Sequence, residues 1–345
     1  MHIRSVVVAL AALTATACTA TGASTPPGAT GQATTELTVV THESFQLSDE
    51  LKAQFEADTG YQVTYVAPGD AGTLVNQLVL TKDAPLGDVA FGIDTTYAGR
   101  AQAEGVFAPY TSPALPKQAA GFVTDGLTPI DHGQVCVNAD TAWFDAAGID
   151  VPDTLDDLTQ PQYQDLLVVI NPASSSPGLA FLLATIAVKG TDGYLDYWQE
   201  LVDNGARVAT SWTDAYYGEF SGTEGQRPLV VSYATSPAYT VTHDAASSTT
   251  TALLETCYQQ VEYAGVLDGA ANPAGAEAFI DFMLSDAVQA SIPEAMYMYP
   301  VAPVELPETW TQFAPLSTDA YELAPADVDQ HRAEWIEAWT GQVIG

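Results

Sequence analysis

The sequence predicts an α/β protein built as two lobes around a ligand cleft. Three observations carry this expectation. Short β-branched runs alternate with helical patterns from residue 36 onward, and the same alternation restarts near residue 166. The loops that follow the strands collect aromatic and small polar side chains. Strands alternating with helices argue for a parallel sheet covered on both faces. In open α/β sheets, ligands sit beyond the carboxyl ends of the strands.

Each element has its own signal. Glu36–Thr41 (ELTVVT) reads as a strand, and Ser48 caps a helix over Asp49–Asp58 that Gly60 ends. Tyr61–Ala67 alternates as a strand does. Thr73–Thr81 places Leu74, Val75 and Leu78 on one helical side. Asp88–Gly92 is a buried type of strand, followed by a helix over Tyr97–Glu104 that Gly105 stops. In the second half, Leu166–Ile170 is a strand, and the polar turn Asn171–Gly178 opens a helix over Leu179–Ala187. A further helix covers Gly193–Asp203, with strands at Arg207–Ala209, Leu229–Tyr233 and Tyr258–Tyr263. Pro273–Leu284 is helical, with Ala276, Phe279, Ile280 and Met283 as its apolar face. Pro325–Val343 reads as a helix rich in acid and Trp.

Composition removes several function classes. The 345 residues hold 43 acidic and 9 basic side chains, a formal net charge of −34. Phosphate backbones are bound by clustered Lys and Arg, so nucleic acid is not a partner to expect. The 47% apolar share is too high for a disordered chain. A negative field favours cationic ligands; it also serves solubility or life in salt.

Residues 1–18 have the layout of an export signal: Arg4, an apolar run Val6–Leu13, then Ala15, Thr16 and Ala17 before Cys18. Cys18 reads as a lipidation site; a plain secretory signal cut nearby is the alternative. Residues 19–35 hold almost only Thr, Ala, Gly, Ser and Pro, a flexible tether. The expected location is outside the membrane, at the cell surface or in the periplasm. Cys136 and Cys257 remain, as one disulfide or as two separate buried thiols.

Motifs for catalysis are missing. There is no G-x-S-x-G, H-E-x-x-H, P-loop or G-x-G-x-x-G, and the five histidines are far apart without ligand spacing. A binding protein without turnover, metal or cofactor is expected. The candidate site lies in loops at strand ends. These carry Trp212, Tyr216, Tyr217, Tyr233, Tyr239, Tyr297 and Tyr299, with Glu43 and Asp70 beside them. Aromatic faces suit a flat or cationic ligand. Ser174–Ser176 precede a helix, a position that can hold an anion or simply cap.

Several stretches carry a family resemblance: LTVVTHESF (Leu37–Phe45), FEADTGYQVTYVAPGDAGTLVNQL (Phe55–Leu78), DVAFGID (Asp88–Asp94), NPASSSPGLAFLL (Asn171–Leu183), LVVSYATSPAY (Leu229–Tyr239) and MYMYPVA (Met296–Ala302). In collinear order over 36–345, the chain resembles the thiamine-binding component of bacterial thiamine ABC transporters. The resemblance implies a two-lobed class II periplasmic-binding-protein fold, monomeric, closing on thiamine or its mono- or diphosphate and delivering it to a membrane permease. It implies lobe 1 at 36–132 and 264–300, lobe 2 at 133–263, and a C-terminal segment, 301–345, packed on lobe 2. Carried over by position, Asp70 meets the aminopyrimidine. Ser175, with Ser176 and Gly178 beside it, meets the hydroxyethyl or phosphate end. Trp212, Tyr233 and Tyr239 line the cleft. Tyr297 stands where the family often has Trp, and His42 and Glu43 stand where it often has Tyr and Asp. The family's topology also brings Cys136 and Cys257 onto neighbouring crossing strands, about 5–6 Å apart at Cα, as a disulfide requires.

Two other functions compete. Ferric-binding proteins of this fold use adjacent tyrosines with a His and a carboxylate, and Tyr216–Tyr217, His42 and Glu43 could supply them. A thiaminase-like enzyme would need a catalytic Cys, and neither Cys136 nor Cys257 lies in a ligand loop.

Overall fold

The computed structural model describes residues 34–345; the predicted leader, Cys18 and all but the end of the predicted tether lie outside them. The first half runs β1 (Glu36–Thr41), α1 (Asp49–Thr59), β2 (Gln62–Val66), α2 (Ala71–Leu80), β3 (Val89–Asp94) and α3 (Ala98–Ala103). Then come β4 (Thr128–Asp140), α4 (Thr141–Ala147), β5 (Leu167–Ile170), α5 (Ser176–Asp203), β6 (Arg207–Ala209) and β7 (Leu229–Tyr233). The chain closes with β8 (Thr250–Val266), α6 (Pro273–Met283), α7 (Asp286–Met296), β9 (Tyr299–Pro300), α8 (Glu308–Phe313) and α9 (Pro325–Val343).

The strands form one mixed sheet in the order β2-β1-β3-β8-β4-β7-β5-β6, with β9 paired to β4. Its two wings are parallel, β2-β1-β3 and β7-β5-β6. The centre is not. Long strands β8 and β4 pair antiparallel with each other and with the wings. They run through the predicted lobe boundaries at 132/133 and 263/264. The wings follow the predicted βαβ pattern because helical crossovers join parallel neighbours.

Period-two alternation splits the core across the sheet. Leu37 and Val39 of β1 pack with Phe55, Phe279, Ile280, Val288 and Ile292 on one face. Val40 packs with Leu74, Val75 and Leu78 on the other, continuous with α5 and α9. Trp198 of α5 and Trp339 of α9 meet edge to face at 5.3 Å. The same α9 also reaches the first half, where the Arg332 guanidinium lies 5.3 Å from the Tyr97 ring.

Several elements differ from the sequence expectation. Helix α2 starts at Ala71, because Asp70 is its N-cap. Helix α5 merges the two expected helices into one 28-residue run, interrupted at Gly190, whose φ of 72° and ψ of 170° are not helical. Glycine alone takes such a backbone without strain. Strand β8 is 17 residues long rather than six, since its buried Thr256, Gln260 and Glu262 break the apolar alternation that marks a strand. Helix α7 is not expected from the sequence, because Pro293 lies inside it, although Ser285 caps it.

Cys136 and Cys257 form a disulfide between β4 and β8. Their Cα atoms are 4.1 Å apart, closer than expected. A bulge explains the approach. Val135 pairs with Tyr258 and Val137 with Leu253, so Cys136 faces a looped-out stretch of β8 that ends in Cys257.

Candidate functional site

A cleft of about 200 Å³ opens where the loops of both wings converge. The turn after β1 brings His42, Glu43, Ser44 and Gln46; the start of α2 brings Asp70 and Ala71; the start of α5 brings Ser176 and Pro177. The loop after β6 adds Trp212, Thr213 and Tyr217, β7 adds Tyr233, and β8 adds Glu262. The end of α7 supplies Met296, Tyr297 and Met298. Of the ten residues expected at the ligand, seven line this cleft: His42, Glu43, Asp70, Ser176, Trp212, Tyr233 and Tyr297.

The other three are placed differently. Tyr239 is 50% exposed and is not among the lining residues, though its ring stands edge-on to that of Tyr297 at 4.8 Å. Ser175 is fully buried at the N-cap position of α5, beside Asp70. Gly178 serves close packing. A Cβ there would sit 2.5 Å from the Ile170 carbonyl oxygen, so no larger residue lets α5 approach β5 this closely.

The serine turn is tied down rather than open. Ser174 donates to the Thr210 carbonyl at 2.7 Å. The Ser176 hydroxyl donates to Asp94 and accepts from the Gln260 amide at 3.0 Å. The turn also rests on the first half: Thr73 N–H donates to the Ser174 carbonyl at 3.1 Å, and the Tyr97 hydroxyl to the Pro172 carbonyl at 2.6 Å.

One wall is aromatic. Trp212 stacks on Tyr216 at 5.1 Å, meets Tyr217 edge-on at 5.5 Å, and anchors its indole N–H on Ser232 at 2.9 Å. Tyr233 continues the wall 6.3 Å away. Tyr216 itself is buried beneath Trp212 and is not among the lining residues, so the two adjacent tyrosines do not both face the cleft. Tyr297 closes one end from a left-handed backbone, φ 56°, at the C-terminus of α7. Its carbonyl accepts the Thr235 hydroxyl. A non-glycine residue in that region is held by its surroundings.

Carboxyl groups stand among these aromatics: the buried Asp70 and Glu262 and the exposed Glu43 line the same cleft. Asp70 accepts from its own neighbour Ala71 N–H at 2.6 Å and from Trp212 N–H at 2.8 Å, joining α2 to the aromatic loop. Burial raises its pKa, offset in part by those bonds and by the adjoining Ser175 hydroxyl. Asp94 is wholly buried and likewise raised by burial, against bonds from Ser176 and Thr96. His42 accepts the Ser44 N–H on Nδ1 at 3.2 Å, which leaves Nε2 as its N–H, 4.0 Å from the Glu262 carboxyl. Burial pushes its pKa down to about 4, so the ring is neutral at neutral pH. Gly92, with φ 91°, makes room for it: a Cβ there would collide with the imidazole at 2.0 Å. Among the described residues, no Lys or Arg lines the cleft.

Glu262, Thr213 and two methionines line the cleft besides the residues expected there. Glu262 had a signal: one charged residue inside the buried run VEYAGV. The methionines gave none, because Met at a helix end is ordinary core. Cys136 and Cys257 are bonded to each other and buried away from the cleft, so neither is a free nucleophile there.

A mixed sheet with parallel wings, two crossing strands and a cleft at the strand ends defines a solute-binding protein. Residues 84–319 match the family model described as bacterial extracellular solute-binding protein, and the chain belongs to that family. The "Thiamine-binding periplasmic protein" of Escherichia coli is 32% identical over 309 residues, 88% of this chain and 92% of that relative. A solved "Periplasmic thiamin binding protein" superposes with a TM-score of 0.80 at 31% identity, over 89% of this chain and 96% of that one. The "Iron uptake protein A1" of Synechocystis is 22% identical over 87% of each chain.

Proposed function

We propose that the chain captures thiamine, or thiamine mono- or diphosphate, outside the membrane and delivers it to the permease of an ABC importer. The carrying observation is a cleft lined by Trp212, Tyr217, Tyr233 and Tyr297 together with the buried carboxyls of Asp70 and Glu262, with no Lys or Arg among the described residues that line it. Thiamine joins a neutral aminopyrimidine to a permanently cationic thiazolium. Flat aromatic faces stack on both rings and attract the cation, at about 0.5–2 kcal/mol per contact. Asp70 can accept the exocyclic amine on the lone pairs its two backbone bonds leave free. The similarity to thiamine-binding relatives supports the same reading.

Capture works by closure of the predicted lobes, 36–132 with 264–300 against 133–263, as the ligand selects the closed population. Cys18 as a lipid site and 19–35 as a tether would hold a monomer at the outer membrane face. The ferric reading is less well supported, since Tyr216 is turned into the core.

Calorimetric titration with thiamine, its two phosphates and ferric citrate tests the proposal. Saturable binding of at least one thiamine form is expected, and Trp212→Ala should weaken it about tenfold or more. A visible tyrosinate–iron band, with no heat from any thiamine form, would overturn it.

A further inference from the structure

Three carboxyl residues stand side by side across the centre of the sheet. Asp94 on β3 is the register partner of Glu262 on β8, and Asp131 on β4 is its partner on the other side. Directly opposed residues share a face, with Cβ atoms about 4.5–5.5 Å apart, and like charges there repel. All three are buried: Asp94 and Asp131 completely, Glu262 to 5% exposure.

They differ in what satisfies them. Asp94 accepts from the Thr96 N–H at 3.0 Å, the Thr96 hydroxyl at 2.6 Å and the Ser176 hydroxyl. Among the described residues no N–H or hydroxyl donor reaches either oxygen of Asp131. The group it faces is the Glu262 carboxyl. Two carboxyls facing each other out of bulk water resist ionising together, and one proton shared between them would satisfy both. Burial raises both, and the neighbouring carboxylates Asp94 and Asp70 raise Glu262 further.

Glu262 also lines the ligand cleft, while Asp131 lies behind it. The groups facing Glu262 come from every neighbouring element: His42 from the turn after β1, Asp70 from α2, Asp94 from β3, Asp131 from β4 and Tyr233 from β7. None is a cation, for His42 is neutral above about pH 4. A positively charged ligand is therefore what the arrangement lacks.

We propose that Glu262 reads the ligand's positive charge, giving up the proton it holds against Asp131 when a cation enters the cleft, so that one proton leaves for each cation captured. The acid O–H bond breaks, the proton goes to bulk water, and the carboxylate left behind faces the cation. The exchange adds one positive charge to the site and removes one. This rests on the reading of the ligand as cationic. It also makes Glu262 a specificity residue: a neutral compound of the same shape cannot drive the proton out.

Titration calorimetry with thiamine at pH 5.5 to 8.5, in buffers of different ionisation heat, counts the protons. About one proton per thiamine is expected in the lower part of that range, and affinity should rise about tenfold per pH unit until the acid pair ionises by itself. A thiamine isostere with a neutral thiophene ring should bind with no release. That control shares the aminopyrimidine and so removes its titration from the count. Glu262→Gln should bind thiamine more weakly, with no release and a flat pH profile. Asp131→Asn should shift the rise in affinity to lower pH, because Glu262 then ionises without a carboxyl opposite it; this second variant serves if Glu262→Gln does not fold. Thiamine binding without proton release would overturn the proposal and leave the ligand intact. Release that persists in Glu262→Gln would also overturn it. No binding of thiamine at any pH would remove the ligand and the proposal together.

Discussion

In the wings of the sheet, most buried strand residues are apolar; Thr41, Asp94 and Ser232, at or near strand ends, are the polar ones. Strand β5 is Leu-Val-Val-Ile with every residue buried, and β1 buries Leu37, Val39 and Val40. In the two central strands, buried means polar about as often. Strand β4 buries Asp131, Gln134 and Asn138, and β8 buries Thr256, Gln260 and Glu262. Most of these make specific bonds. Gln134 exchanges two with Ser317, at 3.0 and 2.7 Å; Asn138 donates to the Tyr233 carbonyl at 3.1 Å; the Thr256 hydroxyl accepts from Val137 N–H at 2.8 Å. Such networks fix geometry more than they add driving force. The difference teaches a division of labour. The wings supply much of the apolar burial, and the centre fixes how the wings meet and carries Glu262 to the cleft.

That division can be broken experimentally. The largest effect should come from the staple in the centre. Cys136→Ser with Cys257→Ser opens a loop of 121 residues and should cost up to about 4–5 kcal/mol in denaturant unfolding. A loss under about 1 kcal/mol would mean that the polar network holds the centre alone. Next comes a truncation under the second wing. Phe181 is buried in α5 and away from the cleft, so Phe181→Ala should lose about 3–5 kcal/mol of stability with thiamine affinity unchanged in the folded fraction. Weaker thiamine binding by the folded fraction would show that the wings also tune the cleft.

Asp70 belongs to both categories, as the N-cap of α2 and as a lining residue. Asp70→Asn should weaken thiamine binding by about 1.5–3 kcal/mol, the range for a hydrogen bond to a charged group. Equal affinity in the variant would leave Asp70 as a cap and a tie to Trp212 only.

The acid pair gives a pH dependence without ligand. Its folded pKa values lie above the unfolded ones near 4. Between the two, the folded state binds more protons, so stability falls as pH rises through that interval, by at most about 1.4 kcal/mol per pH unit for each proton. Unfolding at pH 5, 6, 7 and 8 should show this slope in the wild type and a shallower one in Glu262→Gln. The smallest effect belongs to Ser48, which caps α1 by accepting the Leu51 N–H at 3.2 Å. Ser48→Ala should cost about 1 kcal/mol with no change in thiamine affinity, a cap without a site beside it.

What could be read from the chain follows the same line between wings and centre. Strands β1, β3, β5 and β7 were legible because continuous β-branched runs between turn residues have few other readings. Helices α1 and α6 announced themselves through Ser48, Gly60 and an apolar face. Strand β8 was legible only in part, because a polar residue every few positions hides its period. In the site, aromatics at strand ends could be singled out by type and place. Which of them face the cleft could not: Trp212 lines it while its stacking partner Tyr216, four residues on, does not.

The amino-acid sequence by itself determined the alternation of strands and helices, the two wings, the acidic and aromatic character of the site, and the two cysteines available to bridge. These rest on local periodicity and composition, which neighbours along the chain settle. The tertiary structure alone decided the antiparallel centre, the burial of Asp70 as a cap, the retreat of Ser175, Gly178 and Tyr239 from the cleft, and the row Asp94–Glu262–Asp131. Those three carboxyls are far apart along the chain and adjacent only through strand register. Register is fixed by long-range pairing and by burial of one face, and local patterns do not carry it.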